Sequence, residues 1–264
     1  MRMQDKKVLV SGAGSGIGEA SAKTYAREGA TVVVADLNVQ GGQRVCEEIR
    51  AAGGEAAFVQ VNILDSADIE KMIAFTVETF GRIDVLHNNA QTSAAGRLGD
   101  ISLEDWRRAL EGGLTSYWYA SKLAIAHFLR QGKGAIVNTA SVSGVAGDFG
   151  LGPYNASKAG VVNMTRVFAI EYGRKQIRCN AVLPGPIGTP PLLARKQTDP
   201  ETMGKIEQAI PMGRLGTPQE IANVALFLAS DEASFVNGAA YIADGGLNAH
   251  SGMPSLTGIY PDFN

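Results

Sequence analysis

The chain has 264 residues, and its 24 Lys and Arg nearly balance its 26 Asp and Glu, for a formal net charge of −2. That length fits one large α/β domain spanning 1–264 and buries a sizeable core, while the balanced charge argues against a nucleic-acid or anionic-membrane partner. Cys46 and Cys179 are too few for a disulfide framework and fit a reduced, cytoplasmic setting. The opening Met-Arg-Met-Gln-Asp-Lys-Lys does not read as a signal peptide, and no apolar run approaches the ~20 residues a membrane span needs.

Lys7 to Val10 reads as a short buried strand, followed by a glycine-rich turn, Ser11 to Gly18, and a helix from Ile17 to Glu28. Strand, glycine turn and helix form the context of a dinucleotide fingerprint. Gly12, Gly16 and Gly18 let the backbone approach a pyrophosphate, and the helix start supplies unpaired N–H groups and a positive dipole end. Thr31 to Ala35 is a second strand ending at Asp36, eighteen residues beyond Gly18, where an acid is expected to accept from ribose hydroxyls. Neither Ser15 nor Leu37 offers a basic group for a 2′-phosphate, so NAD is expected over NADP.

The alternation then repeats. A helix spans Val39 to Ala52, and a strand spans Ala56 to Val61 with Asn62 at its end, placed to touch an adenine edge. Ser66 is expected to cap a helix that stops at Gly81. Ile83 to His87 is a fourth strand, leading into Asn88-Asn89-Ala90-Gln91. Alternating strands and helices predict a Rossmann-type, doubly wound parallel sheet of about seven strands with helices on both faces. Ligands then sit at the carboxyl ends of the strands, where the glycine turn, Asp36, Asn62 and Asn88 fall together.

Ser102 opens another helix, and a long one follows to about Arg130, crossed near its start by Gly112-Gly113. Gly134 to Asn138 is a fifth strand, which places Ser141 at the same cleft. Pro153 starts a helix carrying Tyr154 and Lys158, four apart and therefore on one face. A phenol with an unperturbed pKa near ~10 is a poor base at neutral pH, and a neighbouring ammonium lowers it. Such a pair can move a proton to or from an alcohol. Ala156, Ala159 and Gly160 let this helix pack closely, against a second subunit or within the chain. Pro190 to Pro211 has helical character over Glu201 to Ala209, Thr217 to Glu220 is a capping box, and Ala239 to Ala243 is the last strand. His87, His127 and His250 form no metal-ligand cluster, and no metal is expected.

Gly12/Gly16/Gly18, Asp36, Asn88-Asn89-Ala90, Ser141, Tyr154-x-x-x-Lys158, Pro184-Gly185 and Asp244-Gly245-Gly246 together resemble the short-chain dehydrogenases/reductases of the compact NAD-using type, over nearly the whole chain. The resemblance implies hydride transfer between NAD(H) and a secondary alcohol or ketone. Tyr154 is then the general acid/base, Lys158 lowers its pKa and holds the nicotinamide ribose, and Ser141 bonds the substrate oxygen. It implies a cofactor site of Gly12, Ser15, Gly16, Ile17, Gly18, Asp36, Leu37, Asn62, Ile63, Asn89 and Ala90, completed by Pro184, Gly185, Ile187 and Thr189 beside the nicotinamide. It further implies a homotetramer or homodimer. The substrate is expected to meet Gln91, Val142, Phe149 and Leu192, under a lid over 190–213 that carries Leu193, Met203 and Ile206. The apolar lining suits a hydrophobic or cyclic alcohol. Two alternatives stand beside this reading: a cis-dihydrodiol-type dehydrogenase and a non-catalytic NAD-binding protein.

Two positions depart from the family pattern. Gly113 stands where an asparagine is usual, and is expected to leave room for an extra water in the proton relay. Gln91 replaces a glycine and either contacts substrate or fills space. The tail 247–264 is expected to dock on a neighbouring subunit.

Overall fold

The computed structural model describes residues 1–249. Seven strands form one parallel sheet: β1 (Lys7–Ser11), β2 (Thr31–Asp36), β3 (Glu55–Gln60), β4 (Val85–Asn88), β5 (Gly134–Thr139), β6 (Ile177–Pro184) and β7 (Ala240–Ala243). Their spatial order is β3-β2-β1-β4-β5-β6-β7. The order reverses between β1 and β4, the switch point where a crevice opens at the carboxyl ends. Helices α1 (Gly16–Arg27), α2 (Val39–Ala51), α3 (Ser66–Phe80), α4 (Leu103–Leu110), α5 (Ser116–Gln131), α6 (Gly152–Tyr172), α7 (Pro190–Thr198), α8 (Pro200–Ala209) and α9 (Pro218–Ala229) connect them.

Strand alternation divides the core into two layers. Val8, Val10, Val32 and Val34 face Tyr25 of α1, Val45 and Ile49 of α2 and Ile221 and Leu228 of α9. Leu9, Val33, Leu86 and Ile136 face Ile69 and Ile73 of α3, Ala124 and Phe128 of α5 and Phe168 of α6. The doubly wound sheet expected from the sequence is therefore the observed one.

Local details differ. Asp65, not Ser66, caps α3: its Oδ1 accepts from Ala67 N at 2.9 Å, because the chain turns one residue earlier than the serine implies. The long helix after β4 is interrupted by a π-turn over Glu111–Thr115, which contains both glycines. Patterning does not delimit β6, since Arg178 and Asn180 break its apolar run. Arg178 donates to the carbonyls of Leu228 and Ser230, and Asn180 to that of Val236. The capping box at α9 forms as expected, with Thr217 and Glu220 bonded reciprocally. On α6, a Cβ at Gly160 would come within 2.7 Å of the Leu114 side chain, so that small residue serves a contact inside the chain. His250 and the part of the expected docking tail from 250 onward lie outside the described residues.

Candidate active site

The crevice is walled on one side by the glycine turn. Gly12 and Gly16 adopt left-handed φ of 65° and 57°, which glycine alone takes without strain. Close packing holds the turn: a Cβ on Gly12 would lie 2.8 Å from Ala90 Cα, and one on Gly16 would lie 3.3 Å from Thr189 Cγ2. Thus the start of α7 lies directly against the turn. Asn89 props the turn, donating from Nδ2 to the carbonyls of Ser11 and Gly12, both at 3.2 Å. Ser11 Oγ accepts from the N–H groups of Asn89 and Ala90. Among the described residues no side chain caps α1, whose Ser15 N-cap is extended, so the first-turn N–H groups stay available to an anion.

Asp36 ends β2 with Oδ2 accepting from Gly14 N at 2.7 Å and Oδ1 from Asn38 N at 2.8 Å. Leu37 beside it is exposed, while Ile17 and Ile63 pack on the two core layers. Sequence reasoning missed Arg44. Its guanidinium reaches the Gly14 carbonyl at 3.2 Å but is paired with Glu19 and Glu48. Asn62, just past the end of β3, accepts from Leu64 N through Oδ1 at 3.1 Å. Asn88 does not face the crevice. It is buried, with Nδ2 donating to Ser121 Oγ and Asn138 Oδ1, because β4 points it into the sheet rather than out of its end. A glycine cradle, an uncapped helix start and a carboxylate at the next strand end fit a dinucleotide.

The opposite wall holds the candidate chemistry. Lys158 is 1% exposed. Its Nζ donates to Thr139 O at 2.7 Å and lies 5.0 Å from the Tyr117 ring centre and 5.6 Å from that of Tyr154. The Tyr154 hydroxyl faces the side chains of Ser141 and Gln91. Ser141 also donates to Ser143 Oγ and accepts from Ser143 N, both at 3.1 Å. Burial outweighs every stabilising contact here. It pushes the Tyr154 phenol above its ordinary value and the Lys158 ammonium down to about 7. The expectation that Lys158 lowers the tyrosine pKa is therefore not met in the protein alone. The phenol's own desolvation is the largest cause, and the hydrogen bonds from Ser141 and Gln91 do not offset it.

Two further residues were not singled out by the sequence. Thr139 joins the site to the core, since its hydroxyl meets His87 Nε2 at 2.9 Å while its carbonyl holds Lys158. Asn155 clamps the loop before α6, donating from Nδ2 to Ser143 O, Ala146 O and Asp148 Oδ2. Their only sequence signal was adjacency, two residues before Ser141 and one after Tyr154.

Pro184 closes β6, and a Cβ on Gly185 would meet Asp244 at 2.7 Å. Ile187 is buried and bridges to Gly216. Of the residues expected to meet substrate, Val142 is buried and Phe149 stands fully exposed on the loop before α6. Leu192, expected to meet substrate, is half-buried. It packs with Met203, Ile206, Ile210 and Leu215 in a small apolar cluster between α7, unforeseen in the sequence, and α8. The presumed room beside Gly113 is also filled: a Cβ there would fall well inside 3.0 Å of Ser157 Oγ. No helix among the described residues is long and apolar enough to cross a membrane, and none of their side chains cluster as metal ligands.

Fold and crevice together define a nicotinamide-dependent oxidoreductase. The family described as enoyl-(acyl carrier protein) reductase matches residues 12–248. A meso-2,3-butanediol dehydrogenase of Serratia marcescens is 41% identical over 97% of this chain and 100% of its own. A cyclohexanol dehydrogenase of an Acinetobacter strain is 40% identical over 92% and 95%. Among solved structures, a chain described as a short-chain dehydrogenase/reductase from Burkholderia xenovorans superposes with a TM-score of 0.90 at 37% identity, over 94% and 98% of the two chains. A chain described as a gluconate 5-dehydrogenase from Beutenbergia cavernae, holding NADP at low occupancy, gives 0.89 at 35%, over 94% and 98%. The chain belongs to the short-chain dehydrogenase/reductase family.

Proposed function

We propose that the chain oxidises a neutral secondary alcohol, apolar or cyclic, to its ketone with NAD, and that Tyr154, Ser141 and Lys158 carry the chemistry. The observation that carries this reading is the convergence of the Tyr154 hydroxyl with Ser141 above a fully buried lysine. The alcohol oxygen sits between Ser141 and Tyr154. Tyr154 takes its proton, Ser141 orients it, and the nicotinamide, when bound, supplies the hydride acceptor. Lys158 holds its end of the site against Thr139 and adds positive charge when protonated. Burial of both groups excludes water from the proton that moves.

NAD is favoured over NADP because Asp36 offers a carboxylate where a 2′-phosphate would lie. The one nearby guanidinium, Arg44, is neutralised by Glu19 and Glu48. The butanediol and cyclohexanol relatives support a neutral alcohol as substrate. Exposed Trp118 and Leu129 on α5 and Val167 and Ile170 on α6 support assembly as a homodimer or homotetramer. The buried free thiols of Cys46 and Cys179 suit the cytoplasm.

The test is NADH production across a panel of cyclic, vicinal-diol and aromatic secondary alcohols, with NAD and NADP in parallel and Tyr154→Phe beside wild type. Turnover with NAD that falls about 10³-fold in the variant, at unchanged NADH affinity, is the expected result. Retained turnover in Tyr154→Phe would remove the tyrosine from this role, and equal use of NADP would remove Asp36 from its own.

A further inference from the structure

Four charged side chains from two helices close a ring beside the glycine turn. Glu19 and Lys23 lie one turn apart on α1, and Arg44 and Glu48 lie one turn apart on α2. Arg44 bonds Glu19 through two nitrogens, Nη1 to Oε1 at 2.9 Å and Nη2 to Oε2 at 2.6 Å, and bonds Glu48 through Nη1 at 2.8 Å. Lys23 Nζ meets Glu19 at 2.5 Å and also Glu48, which completes the ring. Two carboxylates and two cations leave it neutral. Partial burial pushes the Glu19 carboxyl up. The hydrogen bonds from Arg44 and Lys23 outweigh that burial and hold the group below its ordinary value, so it stays ionised at neutral pH.

Gly14 joins this ring to Asp36. Its N–H donates to Asp36 Oδ2 at 2.7 Å, and its carbonyl accepts from Arg44 Nη2 at 3.2 Å. The carboxylate proposed to meet the ribose hydroxyls and the guanidinium are thus bonded to the same residue. A Cβ on Gly14 would lie 3.0 Å from that carboxylate and 3.2 Å from Gly42 N, so the start of α2 is packed against the turn. The Arg44 side chain is 45% exposed and open to a ligand. A ribose 2′-phosphate at Asp36 would therefore face a guanidinium across a single residue, but not a free one. All four Nη hydrogens of Arg44 have acceptors in Glu19, Glu48 and Gly14. Gripping a phosphate with a guanidinium fork needs two N–H groups released together.

We propose that Glu19, seconded by Glu48, is a specificity-determining residue: it keeps Arg44 occupied and so adds to Asp36 in rejecting a 2′-phosphorylated dinucleotide. Asp36 repels the phosphate by its own charge, and Glu19 withholds the neighbouring cation that would attract it. Neutralising Glu19 breaks the two-pronged pairing and leaves the ring with one positive charge in excess. The inference rests on the reading of the crevice as an NAD site.

The experiment measures binding without substrate, and so does not depend on turnover. Wild type, Glu19→Gln, Glu48→Gln, Arg44→Gln and the double variant Glu19→Gln/Arg44→Gln are titrated with NADH and NADPH by fluorescence. Adenosine 5′-monophosphate and adenosine 2′,5′-bisphosphate are titrated by displacement of NADH, and each variant is melted for Tm. Glu19→Gln is expected to tighten NADPH and the bisphosphate about tenfold, with NADH, the monophosphate and Tm held. Glu48→Gln is expected to act in the same direction by about threefold, because it removes a single bond to Arg44. Adding Arg44→Gln to Glu19→Gln is expected to abolish the gain. A gain that survives Arg44→Gln would overturn the proposal, since it would come from lost repulsion alone. Unchanged NADPH affinity in Glu19→Gln would overturn it as well. So would equal weakening of all four ligands, which would make Glu19 a support of the turn. Each of these results, with wild type still preferring NADH, leaves the NAD reading intact. Wild type binding NADPH as tightly as NADH would remove that reading and the role of Glu19 with it.

Discussion

The two walls of the crevice are built differently. On the cofactor side, backbone meets backbone: Gly12 against Ala90, Gly18 against Gly12, and the amide groups of Asn89 and Ala90 on Ser11 Oγ. On the side proposed to meet substrate, the loops 92–100 and 145–150 stand largely exposed, joined to each other by the hydrogen bond of Gly96 N to Gly150 O at 2.9 Å. A ligand shared by a whole family meets a rigid surface with no space for a side chain. A ligand that varies between members meets loops that can change without disturbing the sheet. Mutations should therefore act through folding and cofactor affinity on the first wall, and through KM on the second.

Gly18→Ala is the strongest way to test the rigid wall. The new Cβ would fall inside van der Waals contact of the Gly12 carbonyl and within 2.7 Å of Asn89 Nδ2, and none of these atoms can withdraw without opening the turn. The expected outcome is a stability loss of about 1–3 kcal/mol, seen in urea melts, and NADH affinity reduced roughly 100-fold. A normal variant would show that the turn is softer than its packing implies. Asp36→Ala should act more narrowly. It removes an acceptor and a repulsive charge without touching the core, so NAD:NADP preference, measured as the kcat/KM ratio, should fall by about 10–100-fold. Stability should drop only slightly, through the lost bond to Gly14 N.

His87 sharpens the comparison from the core. It is fully buried between Tyr25 and Thr139, behind the carbonyl that holds Lys158. Burial holds its imidazolium pKa down to about 3, against 6.5 unfolded. The unfolded chain therefore binds a proton between those values and the folded chain does not, so stability falls as pH drops from 6.5 towards about 3, by at most ~1.4 kcal/mol per pH unit. Above 6.5 the group contributes no slope. Urea melts of wild type and His87→Gln across pH 4 to 8 check this. The variant should lose the acid-side slope, and an unchanged slope would assign it to other groups.

What the sequence made legible follows the same division. The glycine spacing, the acid at the end of β2 and the Tyr154–Lys158 interval are local patterns with local causes, and the folded chain brings them to one crevice. Legibility ended where a position depends on a distant partner. Leu192 looks like an exposed lid apolar until α8 is folded beside it. Ser157 is one small residue in a helix until the π-turn presents Gly113 to it. Arg44 reads as a solvated charge until α1 brings Glu19 within reach. The sign of the Tyr154 shift was equally out of reach, because spacing shows that a lysine is near but not how deeply the phenol itself is buried.

The smallest effects are expected at the loop tip. A Cβ on Gly147 would meet nothing within 4 Å, and its φ is not in the left-handed region, so Gly147→Ala should shift stability by no more than ~0.5 kcal/mol. Phe149, fully exposed two residues on, gives up no packing when truncated, so Phe149→Ala should leave Tm in place as well. If that ring meets bulky alcohols, the variant should raise KM for a cyclic substrate by several-fold at constant kcat, and leave KM for a small diol unchanged. That split separates a recognition surface from a bystander. A uniform change for both substrates would mean that the loop acts through Asn155 and the start of α6, which would make the substrate wall less independent of the catalytic one than its exposure indicates.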